Sequence, residues 1–318
     1  MVQLIFRLLL TSISISLLST FPTTAQPIAQ DTSESNAETA TPQGGAFNKG
    51  LLWKIEAPGS PSTTDTPDYL FGTMHSDDPR IATVPVKVQQ ALTASDSFCM
   101  EMVPDMTAMM TMSKSMLLTD GKTLQAVIGD QLFKQLTPLM MKRGIPAQAL
   151  AMFKPWAVFL TLSVPPQKTG MFLDLVLYEN AKQQHKPVCG LETAEEQVSV
   201  FEGTPLEDQI LLLQQMVKYP YAQDKQLEQL TEKYLARDIG GLVALSQEFD
   251  DATPQEQKSA EAFLLRLIDD RNARMVERML PRLQQGSAFI AVGALHLPGE
   301  KGILQLLAGR GYTVSVVY

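Results

Sequence analysis

The chain has 318 residues, of which 45% are hydrophobic and 19% are charged, a composition typical of a packed globular protein with one large domain or two modest ones. Its formal net charge is −8 at pH 7 and its pI is near 5.0. Because lysine and arginine form no cluster, this balance argues against a nucleic-acid partner.

The first 25 residues have the pattern of a secretory signal peptide. Arg7 is the only charge before an apolar and hydroxyl-rich stretch at residues 8–21, and small residues follow at the expected cleavage point. The stretch is too short and too rich in serine for a membrane span, although an uncleaved N-terminal anchor is an alternative. Residues 26–48 are a predicted disordered linker. We therefore expect an exported protein, periplasmic or extracellular, without a stable membrane span after cleavage.

Apolar periodicity predicts one folded domain over residues 49–318. Helical spacing at residues 85–94 lies between two predicted strands, and this βαβ unit implies a parallel strand pair. One strand runs into a G-x-x-H element at residues 72–75, and another carries Glu101. The strands predicted in this part of the chain are residues 51–56, 69–71 and 97–103.

Two long stretches with helical spacing predict helical insertions around residues 105–170 and 195–285. Residues 106–118 are rich in methionine, whose flexible side chains either line an adaptable groove or fill the core. The other predicted helices are residues 123–141, 147–153, 155–162, 172–184, 195–217, 223–235 and 254–283.

The end of the domain repeats the pattern of its beginning. A buried strand at residues 287–292 leads into a second G-x-x-H element at residues 293–296. A helix at residues 302–308 and a strand at residues 312–318 are predicted to close the domain.

The sequence has two cysteines, Cys99 and Cys189, and each lies in an apolar stretch with the pattern of a strand. An exported protein can pair them as a disulfide. Two buried free thiols are the alternative.

The two G-x-x-H elements predict one shared site. Glycine tolerates positive φ, so a strand that ends in glycine can turn sharply and project its histidine from the strand's carboxyl end, where open α/β sheets bind ligands. His75 and His296 would then meet, with Glu101 at the end of a third strand. Two imidazoles and a carboxylate are suited to a divalent metal that activates water. His185 lies in a polar run and is expected to be solvated.

Motifs along the chain resemble those of the TraB/GumN family, and the resemblance covers residues 49–318. The matching segments occur in the family's order and are residues 69–75, 173–174, 190–197, 271–272 and 292–302. The family includes the Tiki proteins, regarded as metal-dependent proteases, and is similar to the erythromycin-esterase/ChaN-like superfamily. The resemblance implies an α/β fold, with a central mixed, mostly parallel sheet flanked by helices and a large helical insertion.

The resemblance also implies roles for individual residues. His75 and His296 match the family's paired histidines, as ligands of a divalent metal such as manganese, cobalt or zinc. Glu101 matches an acidic residue that serves as a ligand or general base. Arg271 would stabilise an oxyanion or hold a substrate carboxylate, and Asn272 would orient water or a ligand histidine.

Two further matches, Asp174 and Glu192, have no assigned role. Their structural interpretations are a carboxylate at the start of a helix and a hydrogen bond that stabilises the fold.

Two classes of function follow from these expectations. The first is a metal-dependent, peptidase-like hydrolase that acts on a peptide or a small molecule outside the cytoplasm. The alternative is a non-catalytic protein that binds a peptide, metal or haem-like ligand in the same crevice, with help from the methionine-rich segment. Two further options are a fold of this kind that has lost catalysis, and an esterase or proton-abstraction reaction on a small molecule.

Overall fold

A computed structural model of the protein describes residues 47–59, 67–164, 169–218, 222–246 and 253–318. The predicted signal peptide and nearly all of the predicted linker lie outside these residues. Within the described ranges, no helix combines the length and apolar character that crossing a membrane requires.

A mixed sheet forms the centre of the fold and has six strands within the described residues, in the order β4-β3-β5-β2-β1-β6. The pairings within β4-β3-β5-β2 are parallel, whereas β1 is antiparallel to both of its neighbours. The predicted α/β fold with a mixed, mostly parallel sheet is thereby confirmed. The strands are β1 (Leu52–Glu56), β2 (Asp68–Thr73), β3 (Ser97–Met100), β4 (Val188–Gly190), β5 (Ala288–Gly293) and β6 (Thr313–Val316).

Aromatic side chains stack across the parallel strands. Phe98 and Phe289 are register partners on β3 and β5, and their ring centroids are 6.1 Å apart. Phe71 of β2 lies 6.2 Å from Phe289 on the other side. All three rings are fully buried, and burying each contributes about 1.5–3 kcal/mol. The strands that carry the predicted site residues are therefore held together from within the core.

Helices occupy the chain between β2 and β4. The predicted helix at residues 123–141 is two helices, because Gly129, with a φ of 84°, separates them. The helices are α1 (Pro79–Ala82), α2 (Val86–Ala94), α3 (Met106–Ser115), α4 (Leu124–Ile128), α5 (Asp130–Met141), α6 (Ala147–Leu150), α7 (Pro155–Ser163) and α8 (Leu173–Gln183).

A second set of helices lies between β4 and β5, and one more precedes β6. The single helix predicted at residues 195–217 is wrong, since a turn around Gly203 and Pro205 divides it. The sequence also did not reveal α12, whose two glycines weaken its helical propensity. The helices are α9 (Ala194–Glu202), α10 (Leu206–Lys218), α11 (Ala222–Leu235), α12 (Ile239–Ser246), α13 (Pro254–Leu264), α14 (Asp270–Gln285) and α15 (Ile303–Ala308).

The predicted long helix at residues 254–283 is present and contains a wider turn. Helices α13 and α14 run into each other through a π-helical turn at Leu265–Asp269. Such turns are frequent at functional sites, because they shift the register of the side chains that follow.

The methionine-rich helix α3 divides its methionines between core and surface. Met112 and Met116 are buried, whereas Met106 is 74% exposed and Met110 is 48% exposed. The core interpretation therefore describes the buried methionines, whereas the adaptable groove stays a prediction.

Cys99 and Cys189 form a disulfide, and they are register partners in the β3–β4 pair. Strand β4 is a short strand at the edge of the sheet. The crosslink fastens it to β3 just before Glu101 and Glu192 leave the two strands.

Candidate functional site

Four parallel strands reach the same edge of the sheet, and a buried polar side chain follows each of them. Glu192 follows β4, Glu101 follows β3, His296 follows β5 and His75 follows β2. The G-x-x-H elements are adjacent, because Thr73 is the register partner of Gly293. The structure therefore places the predicted residues His75, Glu101 and His296 at the ends of three neighbouring strands.

Gly72 is required for clearance between the two G-x-x-H elements. A Cβ atom at this position would lie 2.7 Å from Leu297 Cδ1 and 3.1 Å from Ala294 Cα. The G-x-x-H pattern predicts a sharp turn with a positive φ at each glycine, but neither Gly72 nor Gly293 has a positive φ. The close approach of two backbones, rather than backbone conformation, explains glycine at residue 72.

His75 faces a carboxylate that the sequence left without a role. Its Nδ1 lies 3.3 Å from Asp174 Oδ2, at the start of α8, and Asp174 Oδ1 accepts a 2.5 Å hydrogen bond from Thr73 Oγ1. Both His75 Nδ1 and Asp174 Oδ2 are buried without a hydrogen-bond partner among the described residues. Burial lowers the pKa of His75 and outweighs the opposing effect of Asp174, so the imidazole is neutral near pH 7.

Arg271 lies fully buried between two glutamates. It donates to Glu101 Oε2 at 2.6 Å, to Glu192 Oε2 at 2.6 Å and to the Leu267 carbonyl at 3.1 Å. Burial lowers the pKa of the guanidinium, but the two carboxylates outweigh it and raise that pKa above its ordinary value. The resemblance implies that Arg271 acts on the substrate, and this stays a prediction; within the protein, Arg271 contacts the carboxylates of Glu101 and Glu192.

The two glutamates differ in their protonation. Burial raises the pKa of Glu101 to about 7, against the opposing effect of Arg271. Burial also acts to raise the pKa of Glu192, but Arg271 and Arg274 outweigh it and hold that pKa below its ordinary value. Glu101 can therefore exchange a proton near neutral pH, whereas Glu192 stays ionised.

A second row of arginines on α14 extends this network toward the surface. Arg274 donates to Glu192 at 2.7 Å, and Arg278 donates to Glu196 at 2.6 Å and to the Leu191 carbonyl at 2.7 Å. Sequence analysis missed both arginines. Their helical spacing from Arg271 was the available signal, together with the Thr-x-x-Glu capping pattern that fixes Glu196.

Asn272 connects His296 to the loop that follows it. Asn272 Nδ2 donates to the Lys301 carbonyl at 2.9 Å, which leaves Oδ1 to accept from His296 Nδ1 at 2.6 Å. In the neutral imidazole this places the lone pair on Nε2, which lies 3.7 Å from Glu101 Oε1. A hydrogen bond from His296 Nδ1 to Asn272 Oδ1, with Nε2 left to bind an ion, is the geometry that the predicted role of Asn272 in orienting a ligand histidine requires.

Two other polar contacts fix the strand ends. The Gly293 amide donates to Glu101 Oε1 at 2.6 Å, so the second G-x-x-H element holds the carboxylate of the third strand. The buried Tyr234 hydroxyl, from α11, donates to the Gly72 carbonyl at 2.9 Å. No local sequence signal marked Tyr234, because its partner lies far away in the chain.

His185 is not part of this cluster. It is exposed in the turn after α8 and adopts a positive φ of 56°.

The donor types at the site fit a divalent metal. Two imidazoles and two carboxylates are suitable ligands, and His75 Nδ1 and Asp174 Oδ2, which are buried without a hydrogen bond among the described residues, are the kind of atoms that an ion would satisfy. As they stand, the side chains form two pairs, His75 with Asp174 and His296 with Glu101. No group of three or more histidine, cysteine, aspartate or glutamate side chains is close enough to hold an ion within the described part of the chain.

The fold and the cluster define an α/β protein with a histidine–carboxylate site at the carboxyl edge of its parallel strands. The chain belongs to the TraB/PrgY/gumN family, whose sequence profile matches residues 51–316. Membership confirms the resemblance seen in the motifs.

Similar proteins include animal and bacterial members. The Danio rerio protein named Metalloprotease TIKI1 is 26% identical, over 88% of this chain and 65% of its own length. The Amphimedon queenslandica protein named Metalloprotease TIKI homolog is 24% identical, over 85% of this chain and 62% of its own length. The Escherichia coli K12 protein YbaP, described as uncharacterized, is 25% identical over 75% of this chain and 87% of its own length. The chain thus spans less than two thirds of these TIKI relatives, and no solved structure matches it significantly.

Proposed function

We propose that the protein is a metal-dependent hydrolase of peptides that acts outside the cytoplasm. The observation that carries this proposal is the buried histidine–carboxylate cluster at the strand ends, where His75 Nδ1 and Asp174 Oδ2 face each other at 3.3 Å without forming a hydrogen bond, beside the His296–Glu101 pair. Buried polar groups are normally hydrogen-bonded, so a buried imidazole and carboxylate that face each other without such a bond are candidates for binding an ion. The metalloprotease names of the TIKI relatives support the same activity.

His75, His296 and Glu101 would hold the metal, and Asp174 is a fourth candidate ligand that the structure adds. When bound, a divalent metal supplies Lewis-acid activation of a carbonyl and of water. The alternative role of Glu101, which the resemblance also implies, is that of a general base that accepts a proton from water. Arg271 acts as a positioning residue that holds Glu101 against Glu192, and Asn272 orients His296.

The proposed location rests on the pattern of residues 1–25, interpreted as a signal peptide, and of residues 26–48, interpreted as a linker before the domain at 49–318. The Cys99–Cys189 disulfide supports export, because such bonds persist in oxidising compartments. The proposed domain includes the helical insertions around residues 105–170 and 195–285.

A non-catalytic binding protein is the second candidate, and one observation favours it. Met106 and Met110 are exposed on α3, where flexible thioether side chains can adapt to a peptide or a haem-like ligand. Turnover distinguishes the two candidates.

The test measures the metal content and the peptide hydrolysis of protein that is expressed from the full-length gene and secreted. We expect bound divalent metal, and hydrolysis of members of a peptide library with manganese, cobalt or zinc. His75→Ala and His296→Ala should each lower metal affinity at least tenfold, since each removes a proposed ligand. His185→Ala is the matched control and should change neither metal content nor turnover. A protein that holds no divalent metal and hydrolyses no peptide with any of the three ions would contradict the proposal.

A further inference from the structure

A groove of about 710 Å³ lies beside the candidate site. Its apolar lining comes from Leu264, Leu265 and Ile268, at the end of α13 and in the π-helical turn, and from Leu295 and Pro298. Leu265 is 43% exposed, so part of this apolar surface is accessible. The volume falls within the range of about 300–1,000 Å³ that is usual for ligand sites.

The groove is connected to the candidate site at two points. Leu295, in its wall, immediately precedes His296. The carbonyl of Lys301, which also lines the groove, accepts a hydrogen bond from Asn272 Nδ2, and Asn272 Oδ1 contacts His296. A chain that occupies the groove would therefore contact the segment that carries His296, although His296 itself is buried and does not line the groove.

The rim of the groove carries excess negative charge. Asp269 and Lys301 neutralise each other, with 3.2 Å between their charged atoms. Glu261 and Glu300 also line the groove and are exposed. Glu261 accepts a hydrogen bond from the uncharged Gln257, and neither glutamate forms an ion pair with a lysine or arginine of the described residues.

We propose that this groove binds an extended peptide segment in which an apolar side chain is flanked by lysine or arginine. The apolar side chain would pack against Leu265 and Leu295, and the basic side chains would pair with Glu261 and Glu300. The inference rests on the proposed function, because it names the class of peptide that the same site would receive.

The test measures the binding of two fluorescein-labelled decapeptides by anisotropy, in EDTA so that metal-dependent hydrolysis does not consume them. The peptides share a Leu-Leu centre, which is flanked by lysines in one and by glutamates in the other. We expect the lysine peptide to bind at least tenfold more tightly. Glu261→Gln with Glu300→Gln should weaken its binding about threefold to tenfold, as two exposed ion pairs allow. Leu265→Ser should weaken the binding of both peptides.

A control pair separates the groove from the overall negative charge. Glu207→Gln with Glu232→Gln removes the same charge from exposed positions that do not line the groove, and should leave both affinities unchanged. Equal binding of the two peptides, or equal effects of the two variant pairs, would overturn the inference. The proposed function fails separately, if the lysine peptide is preferred but is not hydrolysed with manganese, cobalt or zinc.

Discussion

Replacing Arg271 with methionine removes the cation that two buried carboxylates share. The side chain is 1% exposed and donates to Glu101, to Glu192 and to the Leu267 carbonyl at distances between 2.6 and 3.1 Å. Removing one partner of a buried ion pair costs about 3–5 kcal/mol. The presence of two partners does not double this cost, because Glu192 keeps its 2.7 Å contact with Arg274. We expect the free energy of unfolding to fall by about 3–5 kcal/mol.

Urea denaturation at pH 7, followed by tryptophan fluorescence, measures this loss. Arg278→Met is the matched control, because Arg278 lies on the same helix and pairs with Glu196 at a side chain that is 40% exposed. An exposed pair contributes about 0–1 kcal/mol. A loss in Arg271→Met no larger than in the control would refute the claim that buried charge pairing holds the site.

A double-mutant cycle tests the same network more directly. In the variant that combines Arg271→Met with Glu192→Gln, the amide that replaces Glu192 carries no charge that needs the lost guanidinium. We therefore expect the double variant to lose less stability than the sum of the single losses, by about 1–3 kcal/mol. Simple additivity would show that the two side chains do not act as a pair.

Three further predictions concern residues of the central sheet. Burial raises the pKa of Asp68 to about 6, so the stabilisation from its protonated form is complete below about pH 4 and is lost as the pH rises through 6. Asp68→Asn should therefore gain stability relative to the parent between pH 4 and pH 7. Urea titrations should show a gain of up to about 3 kcal/mol. Cys99→Ala with Cys189→Ala should lower the free energy of unfolding by about 2–5 kcal/mol, because the crosslink spans a sequence separation of 90 residues; a melting temperature unaffected by the substitutions, or by reduction of the parent, would contradict this. Gly72→Ala should cost about 1–3 kcal/mol and lower activity by displacing Leu297, and a thermal melt that matches the parent would show that the gap can widen freely.

The sequence was sufficient for the elements that carry His75, Glu101 and His296, because each is an uninterrupted apolar strand followed by a polar residue. It was also sufficient for a mixed, mostly parallel sheet, through the family resemblance. The parallel pair predicted from the βαβ pattern is wrong in one respect: β2 and β3 are both parallel to β5, but β5 lies between them and they do not pair with each other. Local periodicity could not show where helices break, as at Gly129, because the surrounding residues favour helix on both sides.

The contacts within the site were less predictable, because they join residues that are distant in the sequence. The pairing of His75 with Asp174 and the hydrogen bond from Tyr234 to Gly72 each connect separate elements. The sequence identified Arg271 as important and suggested a substrate contact. Only its burial against Glu101 and Glu192 shows that its charge is already engaged within the protein.

The position of β5 in the sheet has a consequence for how the chain folds. Strand β5 lies between β3 and β2, although it begins 188 residues after the end of β3 and 215 residues after the end of β2. Until it has been synthesised, β2 and β3 each present an open edge that can pair with another chain. A protein truncated before residue 288 should therefore aggregate rather than fold, and such long-range pairing predicts slow refolding. The candidate site can form only after β5 and His296 have been synthesised, so a chain that lacks them lacks the site.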